Sequence, residues 1–309
     1  MRSLLCLNPY GGTGLRTGIV DAGTNSFLLL IAQKESGKIE YLLDTSTVVG
    51  FGHLEGGKVR EEKLKFAVQT LDKYKKICEE YRVDKTVIVG TEVFRKIDGT
   101  YFQILSNGFD ESFIITGQEE AILSYRSVSE DQEFSHLKAL IVADIGGGSV
   151  EFAKVQTGDS FIRSFPIGAL AITDEFIQRY PVDDQLNEAG KSVEKMISKI
   201  PVGDLVVIGG TGTTVTSLMD GKTYDPVKIH GRFLKIDDLK ALFNVMKKME
   251  LDEISRMPGM EKGRERIITT GLFLLIKIID HIDSQGSYVS VRGHRYSIAK
   301  DLLDGVKWK

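Results

Sequence analysis

The sequence predicts an α/β protein of two lobes built on one plan, and three observations predict it. At 309 residues the chain can bury two cores and is long for one small domain. Two distant stretches read alike: "IVDAGTNSFL" at 19–28 and "IVADIGGGSV" at 141–150 each run an apolar strand into Asp, a glycine turn and Ser. After each of them strand-like and helix-like segments alternate, so what repeats is an architecture and not a short tandem motif.

Composition narrows the class. With 42% hydrophobic and 27% charged residues, this is the balance of an ordinary soluble globular protein. A formal net charge of −3 argues against general coating of nucleic acid. The two cysteines, Cys6 and Cys78, follow no metal-ligand spacing, which reads as a reducing, cytoplasmic setting. The apolar run in "MRSLLCLNP" is too short for a secretory signal. "GLFLLIKII" at 271–279 carries Lys277 and is too short to span a bilayer, so no membrane association is expected.

In chain order, residues 1–16 contain "PYGGTG", which lacks the Lys of a nucleotide P-loop and precedes the first strong strand; a flexible extension is expected. Apolar runs at 18–33 and 38–49, divided by "KESGK", suggest a hairpin. Leu64, Ala67, Leu71, Tyr74, Cys78 and Tyr81 recur every three or four positions, the buried face of a helix over 59–81. "KTVIVG" (85–90) and "ESFIIT" (111–116) read as buried strands with a helical stretch between, and 117–130 is helical. The pattern restarts with "KALIVADIGGGSVEFAKVQ" from 138 and "SFIRSFPIG" as strands. Helices follow at 169–179 and 184–199, then "DLVVIGGTGTTVTSL" (204–218) as strand, glycine turn and helix. Segments 235–249 and 263–282 are helical, 286–293 is extended, and 296–306 closes the chain as a helix. The expected division is 17–118 plus 296–309 as one domain and 119–295 as the other.

The matched hairpins carry the chemistry. Successive backbone N–H groups in such a turn form a concavity that binds anions. Gly23, Gly146, Gly147 and Gly148 have no Cβ and let phosphate oxygens approach the main chain. Thr24, Asn25, Ser26 and Ser149 add polar side chains. A carboxylate beside phosphate repels it unless a divalent cation lies between them, so Asp21 and Asp144 imply Mg²⁺. Tight structural hairpins are the bland alternative, less fitting for two matched loops than for one. In "VIGGTGTTVTSL", Gly209, Gly210 and Thr211 open a helix where a phosphate or nucleotide sugar suits the positive end. Thr213 or Thr214 is expected to cap that helix, and a purely structural turn accounts for these residues equally well.

These features together resemble the exopolyphosphatase and guanosine pentaphosphate phosphohydrolase (Ppx/GppA) family, in its short two-domain form, within the actin-like, sugar-kinase and chaperone ATPase superfold. The matching pieces are "DAGTNSF" (21–27), "GTEVFR" (90–95), "TGQEEA" (116–121), "DIGGGSVE" (144–151), "SFPIGA" (164–169), "GGTGTT" (209–214), "YDPVKIHG" (224–231) and "SVRGHR" (290–295). They keep the family order over nearly the whole chain. The resemblance implies two actin-like (ribonuclease H-like) domains, with mixed sheets flanked by helices and an active-site cleft between them.

Thr116 with Glu119 three positions on has the spacing of a capping box. Glu120, one residue further, is rotated away around the helix. Alone, it reads as solvent-facing; the resemblance places the family's catalytic base at the second of the two glutamates, hence at Glu120. Arg95 is a surface arginine by the bland reading. By the resemblance it binds phosphate oxygens and offsets charge in phosphoryl transfer. Glu151, two residues after Ser149, returns to the same strand face and is expected either to hold metal or orient water, or to be a polar edge residue. Three departures stand out: Leu28, where family members often have Arg or His; "SVRGHRYS", which lacks the family's Asp and Glu; and "RKIDG", which lacks the usual small and amide residues. Lys262, Arg264, Arg266, His294 and Arg295 are either a polyanion path or ordinary solvated charges.

The implied activity is Mg²⁺-dependent hydrolysis of terminal phosphoanhydride bonds in inorganic polyphosphate, guanosine pentaphosphate or both. Two other functions fit the same motifs: an ATP-dependent kinase or ATPase, and a non-catalytic sensor of a phosphorylated nucleotide. Relatives of this family often dimerise, so a homodimer is an assembly the resemblance implies.

Overall fold

A computed structural model describes residues 14–156 and 160–308. The chain divides into two compact units, one of residues 1–116 with 294–309 and one of residues 117–293.

The first unit is built on a five-stranded sheet in the order β3-β2-β1-β6-β7. Strands β1 (Leu15–Ala22), β2 (Ser26–Glu35) and β3 (Lys38–Val48) form an antiparallel meander. The turn between β2 and β3 holds Ser36 and Gly37, within the expected "KESGK" hairpin. A two-residue ladder, β4 (Leu54–Glu55) with β5 (Lys58–Val59), leads into α1 (Glu61–Glu80). Strands β6 (Lys85–Gly90) and β7 (Glu111–Ile114) then add in parallel to β1, with a 3₁₀ turn (Glu92–Arg95) and α2 (Gly99–Ser106) between them. Ala67, Leu71, Tyr74 and Cys78 of α1 are buried, as their spacing predicts. They share one core with Val20, Ala22, Phe27 and Leu29 of the sheet. The later helix α11 (His294–Leu303) packs on β1 and β2.

Of the extension expected over 1–16, residues 1–13 lie outside the described residues, and its last two positions are corrected: β1 begins at Leu15. Arg16 fixes that start. Its main-chain N–H donates to Asp84, and its buried side chain donates to Gln33 Oε1 at 2.7 Å and to the Tyr81 carbonyl at 2.6 Å.

The second unit opens with α3 (Gly117–Ser129), which packs on β8 (Leu140–Ile145), β9 (Val150–Lys154) and β10 (Phe161–Phe165). A 3₁₀ turn (Gln132–Phe134) joins α3 to β8. After α4 (Ala169–Phe176) and α5 (Leu186–Ile197) come β11 (Asp204–Ile208), α6 (Gly210–Asp220), α7 (Pro226–Ile229), β12 (Phe233–Lys235), α8 (Ile236–Met246), α9 (Leu251–Ser255), α10 (Ile268–His281) and β13 (Gly286–Val289). The sheet order is β10-β9-β8-β11-β13-β12. Apart from the antiparallel edge strand β12, its pairings repeat those of the first sheet: two antiparallel, then two parallel. Helix α10 is almost wholly buried and packs on α4, α5, α6 and α8. Among the described residues no helix is long and apolar enough to cross a membrane.

Candidate active site

The first hairpin is a tight turn. Asp21 and Ala22 end β1, Ser26 starts β2, and the Gly23 N–H donates to the Ser26 carbonyl at 3.0 Å. The Asn25 carbonyl accepts from the N–H groups of Val49 and Gly50, and the Thr24 carbonyl accepts from Gly52. The Thr24 hydroxyl donates to Glu92 Oε2 at 2.8 Å, and Glu92 is ion-paired to Lys96. Thr24 is thereby committed to structure, and what it offers a ligand is its backbone N–H. Asp21 is buried, with Oδ2 3.4 Å from His294 Nε2. Its Oδ1, and the Asn25 Nδ2 donor, are buried without a hydrogen-bond partner among the described residues. Buried orphan groups are costly, and two within five residues mark a place where a ligand completes the bonding. Arg95, half-buried, donates from Nη1 to the Ile115 carbonyl at 2.8 Å.

The second hairpin repeats the first. The Gly146 N–H donates to the Ser149 carbonyl, again at 3.0 Å. The first N–H groups of α4 donate to it: Ala169 to the Gly146 carbonyl at 3.0 Å, Leu170 to that of Gly147 at 2.8 Å. These bonds satisfy donors that a helix start leaves over. With two carbonyls spent on α4, the loop's capacity for a ligand lies in its N–H groups, as an anion requires. Gly168 makes the brace possible, because a Cβ there would fall 2.3 Å from the Gly147 carbonyl.

Acidic side chains gather beside this loop. Glu151 stands directly opposite Asp144 in the β8–β9 register, so the two side chains share a sheet face. Ser124 donates to Asp144 Oδ2 at 3.2 Å and Ser164 to Glu151 Oε1 at 2.6 Å. Helix α3 lies over the same strands, with Glu120 buried in its first turn and Glu119 exposed. The solvent-facing alternative for Glu120 is therefore ruled out. Carboxylate oxygens of Glu120 and Asp144 come within 4.8 Å of each other. Like charges so close repel unless a cation or proton intervenes. The Glu120 and Asp144 donors are carboxylate oxygens, the hard ligands that suit a divalent cation of the Mg²⁺ type.

At the third glycine turn, Gly209 has φ 86° and ψ 174°, a conformation reserved for glycine. A Cβ there would lie 2.7 Å from Asp144 Oδ1, so the turn presses against the same carboxylate. The expected threonine cap is corrected: α6 starts at Gly210 with Gly209 as N-cap. Thr213 and Thr214 lie inside the helix, Thr213 bonding back to the carbonyls of Gly209 and Gly210 and Thr214 to Glu261. Thr211 is buried against Gly271 of α10, leaving its N–H as its contribution to any ligand.

The late cations part company. Lys262 is exposed. Arg266 pairs with Asp174 at 2.7 Å, both half-exposed. Arg264 is buried against Gly210, with its Nε on Glu261 Oε2 at 2.5 Å. Arg295 is buried and its Nη2 reaches both oxygens of Asp44, at 3.0 and 2.8 Å, while the Tyr296 hydroxyl donates to the same carboxylate at 2.6 Å. For Arg264, His294 and Arg295 the solvated-charge reading is thus overturned by burial, and Arg295 is no polyanion contact because Asp44 holds it.

A model of the Ppx/GppA phosphatase family matches residues 30–304. The chain belongs to this family. Among solved structures, the Aquifex aeolicus PPX-GPPA enzyme is 27% identical with a TM-score of 0.76, covering 94% of this chain and 99% of that one. An exopolyphosphatase from Cytophaga hutchinsonii shares the fold at a TM-score of 0.79 and 24% identity, over 94% of this chain and 99% of that one. Exopolyphosphatase 2 of Mycobacterium tuberculosis is 24% identical over 94% of this chain and 97% of its own. A Fusobacterium nucleatum bifunctional 3-dehydroquinate synthase/phosphatase is 29% identical over 98% of this chain, which spans 48% of that protein's length. The actin-like architecture expected of a Ppx/GppA chain is the one observed.

Within that Ppx/GppA frame, several residues beside the hairpins escape sequence reasoning. Glu92, Ser124, Ser164 and Asp44 touch the motif residues Thr24, Asp144, Glu151 and Arg295 in turn. The signal that could have found Glu92 is its place inside "GTEVFR", an acid at a buried strand end.

Proposed function

We propose that this chain hydrolyses the terminal phosphoanhydride bond of inorganic polyphosphate or guanosine pentaphosphate, releasing orthophosphate. The observation that carries the reading is the repeated hairpin: an acid ending the first strand, the same 3.0 Å glycine-to-serine bond, and a buried Glu120 beside the second acid. Membership in a phosphatase family and the names of the relatives support it.

In this reading Gly23 and Gly146 close the turns with their own N–H groups, and the N–H groups of residues 24–26 and 147–149 bind phosphate oxygens, with Asn25 Nδ2 as a further donor. Gly209, Gly210 and Thr211 add N–H groups at the start of α6. Asp21, Asp144 and Glu151 would hold Mg²⁺, which would neutralise phosphate charge. Glu120 accepts the proton of the attacking water. Arg95 stabilises the charge that spreads over the transferring phosphoryl oxygens.

The test is phosphate release in Mg²⁺ from polyphosphate, guanosine pentaphosphate and ATP, assayed separately. Wild-type protein is expected to turn over at least one of the first two, and Glu120→Gln to lower kcat by about 10²–10⁴ without lowering Tm. Turnover of ATP alone selects a kinase or ATPase, and tight binding without release selects a sensor. Wild-type kcat in Glu120→Gln removes Glu120 from the role. Sedimentation of the purified chain decides the homodimer.

A further inference from the structure

The two hairpins differ in what faces their acids. Opposite Asp144 stands Glu151, a polar residue held by Ser164. Opposite Asp21 stands Leu28, so β2 brings Asp21 an apolar cross-strand neighbour. Helix α11 reaches the same acid: His294, its first residue, is buried with Nε2 3.4 Å from Asp21 Oδ2. The next residue, Arg295, bonds Asp44 on β3 and also feels the charge of Asp21. Asp21 thus has Oδ2 at ion-pair distance from an imidazole, outside hydrogen-bond geometry, and Oδ1 buried without a hydrogen-bond partner among the described residues.

We propose that His294 is a positioning residue for Asp21: its Nε2 fixes the carboxylate through Oδ2 and so presents Oδ1 to the divalent cation. The role needs only an N–H at Nε2, which one tautomer of neutral histidine supplies. Groups that orient a metal-ligating carboxylate from outside typically contribute 10–100-fold in metal affinity. This rests on Asp21 holding the cation, as in the function proposed above.

The experiment is calorimetric titration of Mg²⁺ into wild-type protein, His294→Leu, His294→Gln and Asp21→Asn, with Tm measured alongside. Leu fills the buried volume without a donor, whereas Gln keeps an N–H. His294→Leu is expected to weaken Mg²⁺ binding about 10–100-fold and His294→Gln to stay within about threefold of wild type. Equal affinity in wild type and His294→Leu, with Asp21→Asn weakened, overturns the role of His294 and leaves that of Asp21 standing. A Gln variant as weak as the Leu variant, at wild-type Tm, also overturns it. Should wild-type protein bind no Mg²⁺, the role of Asp21 falls and that of His294 with it.

Discussion

Two buried ion clusters, one in each unit, show how a single side chain decides stability here. In the first unit Arg295 sits in the protein interior. Burial alone would lower its pKa, but Asp44, with Tyr296 and Asp21, outweighs it and raises the value. Removing one partner of a buried pair strands the other at a cost of about 3–5 kcal/mol. Asp44→Ala is therefore expected to lose about that much in urea unfolding, against little for a surface pair such as Lys191 with Glu188. In the second unit Asp131 meets His230 at 3.1 Å and Arg292 at 2.8 Å. Burial pushes its carboxyl up; the His230 hydrogen bond, the Glu133 N–H and the Arg292 charge outweigh that and bring it below the ordinary range. A lowered folded pKa means stability that is present above the unfolded value and lost as pH falls through the folded one. The stability difference between wild type and Asp131→Asn should be full at neutral pH and shrink below about pH 4, as followed by Tm across a pH series.

At the scale of elements, the brace between α4 and the second glycine loop is the sharpest constraint. Gly168→Ala would place a methyl group 2.3 Å from the Gly147 carbonyl, where backbone must move. The expected result is at least about tenfold lower phosphate release with a smaller fall in Tm, since a misplacement of about 1 Å costs catalysis far more than folding. The two hairpins and long helices were legible because their information is local: an apolar run, an Asp, glycines, or a three-to-four spacing like that of α1. Helices α7 and α9 and strand β12 span three to five residues, too few for any periodicity to register. Threonines drew the expected cap of α6, yet a glycine at positive φ makes that turn without a side chain. Partners such as Thr24 with Glu92, or Asp44 with Arg295, lie 68 and 251 positions apart. Nothing local announces them, and only the sheet order brings them together.

The whole molecule is one strand plan used twice, with a reciprocal exchange of helices. Helix α3, which follows the last strand of the first sheet, covers the second sheet; α11, which follows β13, covers the first. Cutting the chain at residue 116 therefore does not separate two complete units. A fragment ending at residue 116 should lack protection from amide exchange in β1 and β2, and adding a peptide of residues 294–309 should restore it. The order of synthesis gives this wiring a temporal meaning. The first sheet leaves the ribosome early, but the helix that shields Ile19 and Leu30 is translated only after the entire second unit. During that interval the growing chain carries an uncovered apolar face, and the yield of native protein should rise when chaperones guard it.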